Sequence, residues 1–319
     1  MPSEFDLIAR YFTRPASHAV LGVGDDAALV ELSTGDGQLA ITTDTMVQGT
    51  HFLAEAEPRS IGHKALAVNL SDLAAMGARP RWVLLALTLP AVEENWLAEF
   101  ADGFWSLAQR FDVGLIGGDT TRGPLSITVT ALGQVARGAA LRRDGARAGD
   151  DIWVSGELGD AALALAHRKG DLRLKGADLA RCLARLDTPM PRVELGRKLV
   201  GIAHSAIDVS DGLVADLGHI AGRSGVHAEV DYESLPCTAE VMALKGHAPV
   251  RQALLAGGDD YELLFTAPPA AANAIVALSG ASGTALTRIG RIVAGKGVAV
   301  RDSAGHDIEI GAGGFDHFH

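Results

Sequence analysis

The fold class is indicated by residues 83–119, which read VLLALTLPAVEENWLAEFADGFWSLAQRFDVGLIGGD. Residues 83–89 have the composition of a buried strand, and Pro90 ends it. Residues 93–110 follow an amphipathic helical period, and 113–116 form a second short apolar strand that we expect to end in a Gly-Gly-Asp turn. Strands that alternate with helices in this way are typical of an α/β fold.

The remaining sequence extends this alternation into two halves. Further elements are predicted at 39–42, 60–77, 125–131, 151–155, 158–169, 192–202, 212–220, 261–266 and 287–293, together with a strand that ends at 208. A basic, glycine-containing stretch interrupts the pattern at 137–145. We therefore predict an N-terminal α/β domain over residues 1–137, a linker over 138–149 and a C-terminal α/β domain over 150–319.

Composition and charge narrow the function classes. The chain has 319 residues, of which 48% are hydrophobic and 21% charged, as in a globular enzyme. Its net charge of −11 argues against nucleic acid as a partner. Cys182 and Cys237 have no nearby second cysteine, which disfavours zinc and disulfides and agrees with a cytoplasmic location. The apolar runs are too short to span a bilayer, and no secretion signal is recognisable.

Aspartates stand repeatedly beside glycine or threonine at the ends of the strand-like runs. The segments are 24–26, 42–44, 117–121, 208–212 and 257–260. Each one alone is explained by a turn or a helix cap. All five together favour a different interpretation, because clustered carboxylates repel one another unless a cation lies between them. Magnesium takes oxygen ligands and shares them with phosphates, so we predict a magnesium–polyphosphate site.

Two features of predicted helices bear on this site. Asp72 falls on the same helical face as Ile61, Ala65, Val68 and Met76, where a carboxylate needs a partner. The alternative is that the register is misjudged by one position, or that Asp72 lies at the edge of the face.

The helix that begins near residue 211 offers free N–H groups to a phosphate. Arg122, Arg142 and Arg143 are candidate cations for phosphate oxygens, although the pair 142–143 is equally well explained as solvated linker charge. No P-loop motif and no protein-kinase motif occurs in the sequence.

Seven segments together resemble the thiamine-monophosphate kinases. They are 22–28 (GVGDDAA), 43–45 with 51–52 (TDT, HF), 67–78 (AVNLSDLAAMGA), 117–121 (GGDTT), 208–213 (DVSDGL), 257–263 (GGDDYEL) and 314–318 (GFDHF). The resemblance implies an aminoimidazole-ribonucleotide synthetase-like fold of two α/β domains, whose N-terminal sheet pairs across a homodimer. It also implies ATP-dependent phosphorylation of thiamine monophosphate to thiamine diphosphate, with several Mg²⁺ ions.

The resemblance also assigns roles to individual residues. The implied magnesium ligands are Asp26, Thr42, Thr43, Asp44, Asp72, Asp119, Asp208 and Asp211. The implied nucleotide contacts are Gly118, Asp119, Arg143 and Ser210. The implied substrate contacts are His51, Asp259 and Phe315. The family often has Glu at the position of Asp259 and Tyr or Trp at that of Phe315, so contacts to the thiamine group differ in detail.

The expected mechanism is a direct in-line transfer of the γ-phosphoryl group, with no side chain acting as nucleophile. Two alternatives remain at this point. One is another ATP-using synthetase of the same superfamily that acts on a purine precursor. The other is a magnesium–nucleotide binding scaffold without turnover.

Overall fold

The computed structural model describes residues 19–21, 25–26, 28–31, 37–242, 244–309 and 314. In this part of the chain the architecture is mixed α/β and is built on two six-stranded sheets. The α/β prediction is confirmed. No helix in these ranges combines the length and the apolar character that crossing a membrane requires.

The first sheet is formed by the N-terminal half. Its strands are β1 (Ala19–Leu21), β2 (Ala28–Glu31), β3 (Gly37–Val47), β4 (Arg79–Leu89), β5 (Gly114–Arg122) and β6 (Ser126–Ala136). They lie in the order β1-β2-β3-β6-β4-β5. The pairing of β4 with β5 is parallel, while β3 and β6 are antiparallel along their whole length.

Two helices cover one face of this sheet, α1 (Pro58–Ala75) and α2 (Glu94–Arg110). Alternate residues of β6, among them Ile127 and Val129, are buried under them, as the period of two requires. The predicted helix 60–77 begins two residues earlier, because Pro58 suits a first helical position, where no N–H is needed. The opposite face of the sheet exposes apolar side chains.

The second sheet is formed by the C-terminal half. Its strands are β7 (Asp151–Ser155), β8 (Ser205–Asp208), β9 (His227–Asp231), β10 (Leu263–Ala267), β11 (Leu286–Val293) and β12 (Gly297–Arg301), in the order β12-β9-β11-β7-β10-β8. Its helices are α3 (Asp160–Lys169), α4 (Gly176–Asp187), α5 (Val193–Leu199), α6 (Leu213–Ser224), α7 (Ala239–Met242), α8 (Ala248–Ala256) and α9 (Ala272–Ser282).

The two halves share one apolar core. Trp153, Val193 and Phe265 of the C-terminal half belong to the same buried cluster as the residues of α1. The contact between α1 and α5 is so close that a Cβ atom on Gly196 would lie 2.0 Å from the carbonyl oxygen of Ala74. The sheets therefore pack as one body, and the domain limits at 137 and 150 stay a prediction.

One local prediction is wrong. Residues 117–119 do not form a turn; they continue β5, because Gly118 and Asp119 pair with Leu85 and Ala86 of β4. Gly118 has φ +153°, and a Cβ atom there would lie 1.8 Å from the carbonyl oxygen of Leu85. The glycine is thus required by a close approach between strands, not by a change of chain direction.

Candidate active site

A cavity of about 970 Å³ lies in the cleft between the two halves. Its walls come from the C-terminal part of β3, from α1, from α3 and α4, and from the loops before α6 and β10. Asp44, Asp72, Asp208 and Asp211 line it, together with apolar residues such as Val68. A cavity of this size accommodates a substrate of cofactor size.

Three carboxylates converge beside the cavity, and two of them, Asp72 and Asp208, line it. Asp26, Asp72 and Asp208 each offer one oxygen atom, and these three atoms lie within 4.8 Å of one another. They come from the bend before β2, from α1 and from the end of β8. Hydroxyl groups support two of them: Thr42 Oγ1 donates to Asp72 Oδ2 and Ser71 Oγ donates to Asp208 Oδ2, both at 2.5 Å.

Burial and mutual repulsion disfavour the charged forms of these acids. Burial, and after it the charge of Asp26, raises the pKa of Asp44 to about 6. Burial, followed by the charges of Asp44, Asp208 and Asp26, raises the pKa of Asp72 well above its usual value. A group of acids that is this costly to ionise, with oxygen donors throughout, fits a hard divalent cation.

Arg143 is the fixed cation of this cluster. Its Nε and Nη2 donate to the two carboxylate oxygens of Asp26 at 3.0 and 2.5 Å, and its backbone N–H donates to Asp25 Oδ1 at 2.8 Å. The side chain is largely buried, at 16% exposure. The predicted linker segment therefore contacts the N-terminal half through Arg143. Arg142 instead pairs with Asp144 near the surface.

The turn that leads into α6 is held by an acid of the same helix. The backbone N–H groups of Ser210, Asp211 and Gly212 all donate to Asp216 Oδ2 at 3.1 Å. The N–H groups of the first helical turn, residues 213–215, are not among those that Asp216 binds, so phosphate binding at this helix end stays a prediction. An acid in the first helical turn is the sequence signal for this arrangement. The turn presents Ser210 and Asp211 to the cavity.

The sequence places His63, Lys64 and Asn69 on faces of α1 next to that of Asp72, from which they could reach the same site, but assigns them no role. Of these, Lys64 lines the cavity. It lies on α1 four residues before Val68 and eight before Asp72, and its Nζ is 2.9 Å from Asp259 Oδ1. The sequence signal for this position is the spacing of four residues between Lys64, Val68 and Asp72, which places all three on one side of the helix. His63 points elsewhere, since its Nε2 lies 2.8 Å from the carbonyl oxygen of Pro189.

Comparison with known proteins identifies the family of this chain. The family described as AIR synthase related protein, N-terminal domain, matches residues 24–135, and its C-terminal domain counterpart matches 147–303. The chain is 46% identical to the thiamine-monophosphate kinase of Escherichia coli (strain K12) over 324 residues, covering 99% of this chain and 98% of that protein. The chain belongs to the thiamine-monophosphate kinase family. The resemblance found in the sequence is thereby confirmed.

Solved structures of this family superpose closely. The crystal structure of thiamine-monophosphate kinase from Stenotrophomonas maltophilia K279a has 54% identity and a TM-score of 0.81, covering 89% of this chain and 91% of that one. The structure of AaThiL complexed with AMPPCP and TMP has 33% identity and a TM-score of 0.85, with 99% and 97% covered. The two-domain fold expected for the family is therefore confirmed.

Most residues that the thiamine-monophosphate kinase resemblance singled out meet at the cavity. The predicted residues that line it are His51, Thr43, Asp44, Asp72, Arg143, Asp208, Ser210, Asp211 and Asp259. His51 accepts the backbone N–H of Val47 at Nδ1, 3.0 Å away. Phe315 lies outside the described residues.

The side chains of Thr43 and Asp119 do not join the cluster, and Gly118 lies next to Asp119 on β5. Thr43 Oγ1 bonds to the carbonyl oxygen of Val129 and lies 2.9 Å from Thr130 Oγ1, on the face of the sheet opposite Thr42. Asp119 pairs with Ala86, which pairs through β6 with Thr45 of β3. Three strand spacings make this about 14 Å. Within one chain, Asp119 is thus remote from Asp44.

Proposed function

We propose that this protein transfers the γ-phosphoryl group of ATP to thiamine monophosphate and releases thiamine diphosphate and ADP, the last step in the synthesis of thiamine diphosphate. One observation carries the proposal. The cleft of a thiamine-monophosphate kinase family member contains a cavity that is lined by carboxylates, two of them from a converging group of three, and by apolar side chains. A relative of the same fold, AaThiL, is described as complexed with AMPPCP and TMP.

The acidic cluster would hold Mg²⁺, several ions in our proposal. The ligands would be Asp26, Asp72 and Asp208, with Thr42, Thr43, Asp44 and Asp211 around them and Asp119 supplied by a second copy of the chain. When bound, the ions neutralise phosphate charge. The chain itself fixes its ligands: Arg143 holds Asp26, and Asp216 holds the turn that carries Asp211.

The chain has no need of a general base for this reaction. A phosphate monoester has its second pKa at about 6, so the acceptor is mostly a dianion at neutral pH. We therefore propose direct in-line transfer without a phosphorylated side chain. His51 is assigned to substrate contact together with Asp259 and Phe315. This agrees with its Nδ1, which already accepts a backbone N–H. Gly118, Asp119, Arg143 and Ser210 are assigned to the nucleotide.

We also propose a homodimer that completes the site. The open face of the first sheet exposes Trp82, Leu84 and Ile116 at 38%, 38% and 60%, and β5 is its last strand among those described. A second copy that covers this face would bury these side chains and could bring its Asp119 to the acidic cluster. Sedimentation should give a dimer for wild type and a monomer for Ile116→Asp. Val92→Asp, at an exposed apolar residue outside the sheet, is the matched control.

A coupled assay of ADP release tests the function. We expect release with thiamine monophosphate and none with free thiamine, with a purine precursor or without acceptor. Release that is independent of thiamine monophosphate would contradict the proposal. Acid quenching during the first turnover tests the in-line step, and an acid- or base-stable phosphoprotein at that stage would exclude it. We place the reaction in the cytoplasm on the sequence grounds given above.

A further inference from the structure

We propose that Lys64 is a positioning residue for the acceptor substrate and that it acts by holding Asp259; this rests on the function proposed above. Lys64 is only 6% exposed, and its ammonium group lies 2.9 Å from Asp259 Oδ1. Lys64 belongs to α1, which packs on the first sheet, whereas Asp259 precedes β10 of the second. The ion pair therefore crosses the cleft in which the cavity lies.

Tyr261 is the second group that orients the carboxylate. Its hydroxyl donates to Asp259 Oδ1 at 2.9 Å, and its ring centroid is 6.0 Å from the Lys64 ammonium. Both groups thus act on the same oxygen, and no described residue donates to Asp259 Oδ2. The carboxylate is 30% exposed and lines the cavity. Oδ2 is therefore the oxygen that can accept a donor group of a ligand.

The backbone of this loop is strained and pinned. Asp259 and Tyr261 have φ values of +68° and +49°, in the left-handed region that is unfavourable for residues other than glycine. Their N–H groups donate to the carbonyl oxygens of Ser210 and Val209 at 2.9 and 2.8 Å. The loop is thereby tied to the turn that carries Asp211. Strain of this kind persists where the surroundings fix it, typically at functional sites.

The chemistry of the acceptor suits an oriented carboxylate. Thiamine carries an amino group on its pyrimidine ring and a positive charge on its thiazolium ring, and a carboxylate oxygen can bind either one. A buried ammonium group is costly unless paired, so an apolar side chain would serve packing alone better than Lys64. Its presence is explained if the Asp259 carboxylate must face the cavity in one orientation.

Steady-state kinetics of Lys64→Met test the proposal. Because the change removes orientation of a substrate contact and no reacting group, we expect the KM for thiamine monophosphate to rise about tenfold or more, with kcat and the KM for ATP changed by less than about threefold. Lys64→Arg, which keeps the ion pair, should recover most of the loss. Calorimetry in the presence of AMPPCP should show that the affinity for thiamine monophosphate is highest in wild type, lower in Lys64→Arg and lowest in Lys64→Met.

A matched control separates positioning from stability. Lys245 is equally buried but lies outside the cavity, where its Nζ donates to the carbonyl oxygens of Tyr232, Glu233 and Leu235. Lys245→Met should lower the melting temperature and leave the KM for thiamine monophosphate unchanged.

The proposal also requires that the effects of changing Lys64 and Asp259 on the KM for thiamine monophosphate depend on each other. In an Asp259→Asn background, Lys64→Met should have little further effect on that KM. The proposal is overturned by an unchanged KM in Lys64→Met, or by effects of the two substitutions that simply multiply. Absence of thiamine monophosphate-dependent ADP release in wild type would instead contradict the proposed function.

Discussion

Asp72 lies where buried like charges meet, so the effect of its charge can be measured by removing it. In Asp72→Asn, the repulsion with Asp26 and Asp208 falls, and the metal-free protein should melt at an equal or higher temperature than wild type. The rise in melting temperature on adding Mg²⁺ should be largely lost, and turnover should fall about 100-fold or more. Thermal unfolding with EDTA and with Mg²⁺ measures the first two effects.

A surface aspartate provides the control for this experiment. Asp102 on α2 pairs with Arg59 at 2.6 Å and has a side chain that is 59% exposed. Asp102→Asn should change neither the melting temperature in EDTA nor the response to Mg²⁺. A response to Mg²⁺ in Asp72→Asn as large as in wild type would show that the acidic cluster does not bind the ion.

Asp216 should matter for nucleotide binding without touching the nucleotide. Asp216→Ala leaves three N–H groups without their acceptor, so the turn with Ser210 and Asp211 loosens. We expect the dissociation constant of Mg²⁺–AMPPCP to rise about tenfold or more and stability to fall by about 1–3 kcal/mol. The nucleotide affinity and the stability of Asp216→Asn should lie between those of wild type and of Asp216→Ala. Fluorescence or calorimetric titration measures the affinity.

Asp231 caps a short helical turn outside the cavity, with Oδ1 accepting the N–H of Glu233 at 3.0 Å. Asp231→Ala should cost about 1 kcal/mol of stability as a lost cap and should leave nucleotide affinity unchanged. If Asp216→Ala behaves like Asp231→Ala in both measurements, the role of Asp216 is only structural.

At the scale of single residues, the sequence predicted which charged side chains belong to the site better than it predicted their hydrogen-bond and ion-pair partners. Asp72 followed from helical spacing, because the period of α1 is independent of the rest of the fold. Asp216 was missed, since its three N–H partners meet one carboxylate only in the folded turn. The ion pair of Lys64 with Asp259 joins positions 195 residues apart, as the numbers 64 and 259 show, and no local pattern encodes it.

The helices α1 and α2 are held unusually close by glycine. A Cβ atom on Gly62 would lie 2.0 Å from the carbonyl oxygen of Phe100, and one on Gly103 would lie 1.9 Å from that of Arg59. Gly62→Ala must push the helices apart, so we expect a loss of about 1–3 kcal/mol in the free energy of unfolding. Denaturant titration measures it.

Gly222 offers the matched substitution. It also lies inside a helix, α6, but has open space where a Cβ atom would be. Gly222→Ala should therefore stabilise the protein by about 0.5–1 kcal/mol through higher helix propensity. Equal effects of the two substitutions would refute the packing argument.

Predictions of elements succeeded where composition is decisive. The helix predicted at 93–110 is observed as α2, and residues 151–155 form β7 as expected. Residues 117–119 were misjudged because Gly-Gly-Asp is typical of turns, whereas here β4 accepts the glycines as a strand partner. The strands β9 and β12 were not predicted.

The whole molecule should unfold as one cooperative unit. Its first apolar core joins residues of α1 with Trp153, Val193 and Phe265 of the second half, so neither half can unfold without exposing the other. At fixed protein concentration we expect one calorimetric transition, with equal calorimetric and van't Hoff enthalpies. Gly62→Ala should shift that transition as a whole. Two separate transitions, of which only one moves, would contradict a shared core.

The sequence predicted the fold class but not the arrangement of the sheets. Strand order depends on long-range pairing, such as β6 between β3 and β4, and local periodicity carries no information about it. Local periodicity also says nothing about the position of Asp119. The sequence grouped it with Asp44, although β5 and β3 are three strand spacings apart in the sheet. Family resemblance supplied the grouping, and single-chain geometry alone does not reproduce it.

The carboxylate that binds the turn before α6 has a consequence for how the protein responds to its surroundings. Three backbone N–H groups of that turn are bound by Asp216, and the Arg143 guanidinium is bound by Asp26. Under the function proposed above, much of the positive charge that balances two phosphorylated reactants would then come from dissolved ions. Turnover should accordingly follow the free magnesium level of the medium, which would make magnesium supply a control on the output of the proposed reaction.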